Sequence, residues 1–229
     1  MLRTLILVAS LTISACTTLH PAPLQPQPAK GVVSAADPRA AEAGAEILRR
    51  GGSAADAAIA TLLALNVVEP QSSGIGGGGF LVYAPRGRAA TTIDGRETAP
   101  MAASERWFYD GGMPLTMNAV VPGGKGVGVP GNVRLMALAH QKYGRLAWAS
   151  LFGPAIRLAS DGFEVTPRMH RFLPEHRASA SFSAAGRTLY YNPDGSPKAV
   201  GTVIHNPALA AYMAQLAKLG PDSFYVGPN

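Results

Sequence analysis

The chain is predicted to adopt a multilayer α/β fold, and three observations carry that reading. Apolar residues make up 47% of the 229 positions and charged residues only 15%, a balance suited to a globular chain with a substantial core. The helical segment that follows Ser53 is Ala and Leu on nearly every side, so a covering layer is needed on each of its faces. Two strand-like runs joined by the turn residues Pro85-Arg86-Gly87-Arg88 stand between helical segments, placing helices and sheet in one core.

Taken in order, Gly31 to Ala36 reads as a short apolar strand. Asp37-Pro38 opens a helix, with the aspartate as N-cap and proline at the first helical position; it runs to Arg50 and is stopped by Gly51-Gly52. Ser53-Ala54-Ala55-Asp56 has the form of a capping box and starts the apolar helix, which extends to about Asn66. The glycine run Gly76–Gly79 precedes strands at Phe80–Ala84 and Ala89–Asp94, which form an antiparallel hairpin. Gly111 to Pro130 is a long loop rich in glycine, proline and methionine, of a length that usually serves function or covers something. Further helices are predicted at Gly131–Lys142, Ala147–Ser160 and Asn206–Leu219. The last has an Asn206-Pro207 start and a stripe of Leu209, Tyr212, Met213 and Leu216. Leu219 to Tyr225 looks like a helix stop leading into another element, so the chain reads as part of a longer protein.

Residues 1–15 have the form of a signal peptide: a positive charge at Arg3, an apolar run from Leu5 to Ile13 too short to span a bilayer, then small residues. Ile13-Ser14-Ala15-Cys16 resembles a bacterial lipobox, and the only cysteine lies where lipidation requires it. An ordinary secretory signal with an incidental cysteine is the other reading. Residues 16–30 then form a proline-rich tether, and the folded part covers 31–229. Either reading places the mature protein outside the cytoplasm, periplasmic or anchored to the outer membrane, with no disulfide. The net charge of +6 is spread over isolated arginines with no block of five basic residues, which argues against nucleic acid as a partner and leaves a general attraction for anionic substrates.

The glycines of Gly74–Gly79 have dinucleotide-loop spacing, but their context is helix, loop, strand. A phosphate cradle needs a helix after the loop, and no Lys-Ser or Lys-Thr follows. The glycines are therefore assigned to close backbone packing before the hairpin. Ser72 and Ser73 lack a nucleophile elbow and are turn caps. The five histidines show no metal-ligand spacing, so neither a metal nor a cofactor is expected. Glu69, Asp94 and Glu97 are candidates for acid–base pairing, with ion-paired or solvated roles as the alternative. Arg96, in Asp94-Gly95-Arg96-Glu97, ends the second strand. A planar guanidinium there suits bidentate capture of a carboxylate, or else a structural ion pair with Glu97, Asp94 or another acid.

The segments SAADPRAAEAGAEILRRGGSAADAAIA, NVVEPQSSGIGGGGFLVY, DGRETAP, VGVPGNVRLM and WASLFGPAIRLASDGFEVT occur in this order. Through them residues 31–229 resemble the N-terminal part of the large subunit of γ-glutamyltransferases. The resemblance implies an N-terminal-nucleophile hydrolase fold, a four-layer αββα sandwich that would be incomplete in this chain. It implies a precursor cut into two subunits, with glutathione and other γ-glutamyl compounds as donors and water, amino acids or peptides as acceptors. The nucleophilic threonine leads the small subunit, so no catalytic residue is expected in this chain, and Thr61, Thr91 and Thr92 are not nucleophiles. Arg96 is the position that would hold the donor's α-carboxylate. A cephalosporin-acylase-like or poly-γ-glutamate-processing amidase of the same fold, or a non-enzymatic lipid-anchored binding protein, are the alternatives.

Overall fold

A computed structural model describes residues 31–227. The signal segment, Cys16 and the tether lie outside the described residues. Helix α1 (Pro38–Arg49) starts where the Asp37 carboxylate accepts the Arg39 N–H, and ends at Gly51, whose φ of 86° permits the turn. Helix α2 (Ala54–Val68) begins with a complete capping box between Ser53 and Asp56. Strands β1 (Gly79–Tyr83) and β2 (Thr91–Gly95) pair antiparallel, Leu81 opposite Ile93, through a turn with Gly87 at φ 73°.

The long loop predicted at Gly111–Pro130 contains structure of its own. Strands β3 (Tyr109–Asp110) and β4 (Met113–Pro114) form a minimal hairpin over Gly111 and Gly112, and α3 (Met117–Val120) follows. Two adjacent glycines, both at positive φ, supply that tight turn. Helix α4 (Asn132–Tyr143) matches its prediction. The helix expected over Ala147–Ser160 is broken: a 3-10 turn covers Trp148–Leu151 and α5 covers Gly153–Asp161. Pro154 has no N–H to continue an incoming helix, but fits the first turn of a new one. Strand β5 (Phe163–Glu164), α6 (Pro167–Phe172), α7 (Arg177–Ala180), α8 (Ala184–Tyr190) and β6 (Val203–Ile204) fill a region without strong sequence periodicity, β5 pairing with β6. Helix α9 (Pro207–Leu219) is capped by Asn206, and a 3-10 turn at Pro221–Phe224 is the further element. Gly31–Ala36 is not a strand, because no described strand lies beside it to form a ladder.

Helix α2 is the centre of the core. It packs on α1, α4, α5 and the Trp148 turn, and Ile59, Leu63, Ala64, Val67 and Val68 are buried. Its cover is not complete: Ala54 and Ala58 are exposed, and Leu62 and Leu65 half-buried, along one stripe. The outer face of β1 is open too, with Phe80 and Val82 exposed while Ile93 faces the core.

Asp56 ties this helix to its surroundings. Its Oδ2 accepts the N–H groups of Ser53 (2.9 Å), Arg145 (2.9 Å) and Leu146 (3.2 Å), joining the start of α2 to the turn that follows α4. Burial pushes this carboxyl up, but the hydrogen bonds from Ser53, Arg145 and Leu146 outweigh it and hold the pKa below the usual 3.8. A carboxyl depressed in the folded state adds stability above its unfolded pKa and loses it as pH falls through the folded one. Asp56→Ala leaves three backbone donors without their acceptor, that of Ser53 buried, and is expected to cost about 3 kcal/mol at neutral pH, with a flatter further loss on acidification. Urea denaturation of the full-length protein, repeated at falling pH, measures both; a loss under about 1 kcal/mol at neutral pH would contradict the role.

Candidate substrate-binding site

A cleft of about 650 Å³ opens between the end of α2, the glycine run and the start of α4. Glu69, Ser72, Ser73, Arg96, Glu97 and Asn132 are among its polar walls. The backbone of the glycine run is held from two sides. Gly77 O accepts the N–H groups of Gly131 and Asn132, both at 3.0 Å, satisfying donors at the start of α4 that no side chain caps. The Asn132 side-chain amide donates to Gly74 O at 2.7 Å.

Arg96 follows directly on β2. Its backbone N–H donates to Asp94 Oδ1 at 2.9 Å, turning the chain out of the strand. Its guanidinium donates to Gly78 O at 3.3 Å and stands 3.1 Å from Glu97 Oε2. The Glu97 contact has ion-pair distance without hydrogen-bond alignment, and that oxygen has no other donor among the described residues. The Arg96 side chain is 54% exposed, so the fork keeps N–H groups open to the cleft. Of the acids named from sequence, Glu97 and Asp94 therefore both serve Arg96. Glu69 is buried and binds elsewhere: its Oε2 accepts Arg168 Nε at 2.9 Å and Gln71 Nε2 at 2.8 Å. The three are not paired with one another, and the ion-paired alternative describes Glu69 and Glu97.

Ser73 donates its hydroxyl to Asn66 Oδ1, and the Ser72 and Ser73 N–H groups close a turn on Glu69 O. Thr61 spends its hydroxyl on Ala57 O within α2. His140, His170 and His205 each contact a backbone carbonyl, and His176 packs beside Phe172; His20 lies outside the described residues. Sequence reasoning missed Asn132 and the Glu69–Arg168 pair. Asn132 had a usable signal, a polar residue opening a helix just after Pro130-Gly131, whereas Arg168 lies 99 residues from Glu69 with no local mark.

The glycine run is only partly explained by close packing. A Cβ at Gly78 would lie 2.6 Å from both Gly95 O and Glu97 Oε2, so no larger residue fits. A Cβ at Gly76 would meet nothing within 4 Å, and none of the four has positive φ. Gly76 instead forms open wall of the cleft. Gly78→Ala is expected to lower stability by about 1–3 kcal/mol and to displace Arg96, while Gly76→Ala stays within about 0.5 kcal/mol of the parent. Melting of the two variants side by side decides this; equal losses would contradict the assignment.

Comparison with known proteins gives this site its context. Residues 40–228 match the family model described as Gamma-glutamyltranspeptidase. The chain is 43% identical over 189 residues to Scoloptoxin SSD14 of Scolopendra dehaani, covering 82% of this chain and 32% of that protein. It is 38% identical over 198 residues to Glutathione hydrolase 3 of Arabidopsis thaliana, covering 86% and 30%. The crystal structure of Helicobacter pylori gamma-glutamyltranspeptidase superimposes with a TM-score of 0.81 at 31% identity, over 88% of this chain and 58% of that one. A cephalosporin acylase from Bacillus halodurans aligns with a TM-score of 0.67 at 31% identity, over 88% and 39%. The chain thus spans about a third of the length of the curated relatives it matches. The described helices and hairpin are a portion of the N-terminal-nucleophile hydrolase fold, not all four layers of it. On the family match and these similarities, the chain belongs to the gamma-glutamyltranspeptidase family.

Proposed function

We propose that the full-length protein cleaves the γ-glutamyl amide of glutathione and related compounds and passes the acyl group to water, amino acids or peptides. In this reading the present chain contributes recognition of the donor's α-carboxylate, and Arg96 is the group that makes it. The observation that carries the assignment is a half-exposed guanidinium fixed by Gly78 O and Glu97 on the wall of a 650 Å³ cleft, with N–H groups still free. A planar fork with open donors accepts a carboxylate through two parallel bonds, which a lysine does not reproduce. The nucleophile is proposed to be an N-terminal threonine released by autoprocessing in the part of the protein beyond Asn229, its own amine acting as base. The small subunit made by that cut would complete the site, and residues 31–229 alone would show no turnover.

Similarity to the Bacillus halodurans cephalosporin acylase supports a second reading, an amidase of the same fold. Arg96 would hold the terminal carboxylate of a glutaryl group equally well, and a poly-γ-glutamate substrate offers the same carboxylate. Kinetics on glutathione and on a glutaryl amide, side by side, separate these readings. For the lipid anchor we propose Cys16 as the acylated residue, supported by its lipobox context. Cys16→Ser is expected to move the full-length protein from the membrane to the soluble fraction; unchanged fractionation would remove the anchor.

Arg96→Ala in the full-length enzyme is expected to lower kcat/KM for the γ-glutamyl donor by about 2–5 kcal/mol in transition-state terms, mostly through KM. The exposure seen here favours the lower end, since water weakens the contact. Arg96→Lys should recover only part of the loss, because it restores charge without the fork. Unchanged KM in a variant whose melting temperature matches the parent would sink the carboxylate role.

A further inference from the structure

A second cavity, about 630 Å³, opens between α7, α8 and the turn Asn192–Ser196, and it shares no residue with the Arg96 cleft. Three cations line it, Arg177, Arg187 and Lys198, against one carboxylate, Asp194. Like charges gathered around a concave wall focus their potential and draw in an anion. Asp194, whose Oδ1 accepts both the N–H (2.9 Å) and the hydroxyl (2.6 Å) of Ser196, offsets one of these three charges and leaves the wall net cationic.

The cations are held in place without being used up. Gly195 has φ 80°, and a Cβ there would lie 2.1 Å from Arg177 Nη2, so the guanidinium rests directly on the turn backbone. No hydrogen bond joins the Arg177 guanidinium or the Lys198 ammonium to another described residue. Arg187 spends Nη1 on Ser181 O at 2.7 Å, which closes the loop between α7 and α8. The Lys198 backbone is fixed on both sides, its N–H donating to Tyr190 O at 3.0 Å and its carbonyl meeting His170 Nδ1 at 2.9 Å. The buried Tyr191 hydroxyl pins the start of the turn by donating to Leu173 O at 2.7 Å. Here a glycine at positive φ and a buried tyrosine hold the wall along which these solvent-facing donors sit.

We propose that this cavity binds a small, multiply charged oxyanion, with Arg177 and Lys198 as the principal contacts, independently of the Arg96 cleft. Several anionic oxygens close together are the shared chemistry, found in a phosphomonoester and in a di- or tricarboxylate alike. Arginine suits both, because its fork matches two oxygens of either group.

Isothermal titration of the full-length protein tests this at ~0.15 M ionic strength, where exposed charges are well screened. Inorganic phosphate is the probe in one arm and citrate in the other. Saturable one-site binding is expected in at least one arm, and the stronger arm identifies the class. In an Arg96→Ala background, where the other cleft no longer takes a carboxylate, the paired change Arg177→Ala and Lys198→Ala should weaken it roughly tenfold or more. If the alanine pair does not fold, Arg177→Gln with Lys198→Gln keeps the side-chain bulk and is read instead. No saturable binding in either arm, or binding that survives the paired change, overturns the proposal. Because the readout is binding and not turnover, the Arg96 reading can fail without touching this one.

Discussion

A Cβ at Gly131 would sit 2.0 Å from the carbonyl oxygen of Gly95, so the start of α4 and the end of β2 meet backbone to backbone. Gly78 approaches the same carbonyl from the other side, with room for no side chain. Gly77 O joins them by accepting the first two N–H groups at the start of α4. Three chain segments far apart in sequence are thereby fixed on a common point, and Arg96 is the residue that follows it. A displacement of even one methyl group here would move the guanidinium relative to Gly78 O and Glu97. Close packing in this place sets the position of the fork more than any interaction of the fork itself, since well-packed backbone transmits strain and does not absorb it.

The frame behind that contact depends on a buried charge. Asp56 is fully buried, yet it receives backbone donors from its own helix start and from the turn after α4. Three hydrogen bonds to Oδ2 replace part of the water this carboxylate has lost, while Oδ1 has no hydrogen-bond donor among the described residues. It sets α4 against α2, while Leu135 and Met136 on α4 are buried within the core. The glycine contact then fixes the other end of α4. One helix is therefore held at its start by carbonyls of the glycine run and at its end by a carboxylate of α2. That arrangement explains how a site at the end of a two-stranded hairpin is kept rigid although the outer face of β1 is open.

Local signals made much of this legible. Asp37, Ser53, Asp56 and Asn206 announce their helices through side-chain capping, which depends on residues at most three positions apart. The β1–β2 hairpin could be read because its turn residues and alternation are contiguous. What was not legible depends on distant partners. Gly31–Ala36 has strand composition but no neighbouring strand among the described residues, and composition alone cannot supply a ladder. The short helices and the β5–β6 pair between Phe163 and Ile204 rest on tertiary contacts such as the Tyr191 hydroxyl on Leu173 O. The glycine run gave the right segment with too uniform a reason, since Gly78 is excluded by packing and Gly76 is not. Arg96 could be named from its motif, but its dependence on Gly78 O and on Gly131 required the fold.

The Arg96–Glu97 pair looks at first like a competitor for any carboxylate that enters the cleft. Its energetics suggest a different role. A half-exposed ion pair contributes at most about 1 kcal/mol to stability, so the pair is not kept for folding. Glu97 itself is less exposed than Arg96, and its Oε2 lies against the space where Gly78 lacks a side chain. The guanidinium is held between this carboxylate and Gly78 O, which limits the rotamers of a long side chain that would otherwise lose about 2 kcal/mol of freedom on binding. A ligand carboxylate meeting the open N–H groups would meet an arginine already aimed. The proximity of Glu97 would also repel that ligand somewhat, favouring a recognition that is oriented and reversible over one that is tight. If the site serves γ-glutamyl transfer as proposed, and so releases an acyl product at every turnover, such a balance is better suited than an unpaired, fully buried arginine.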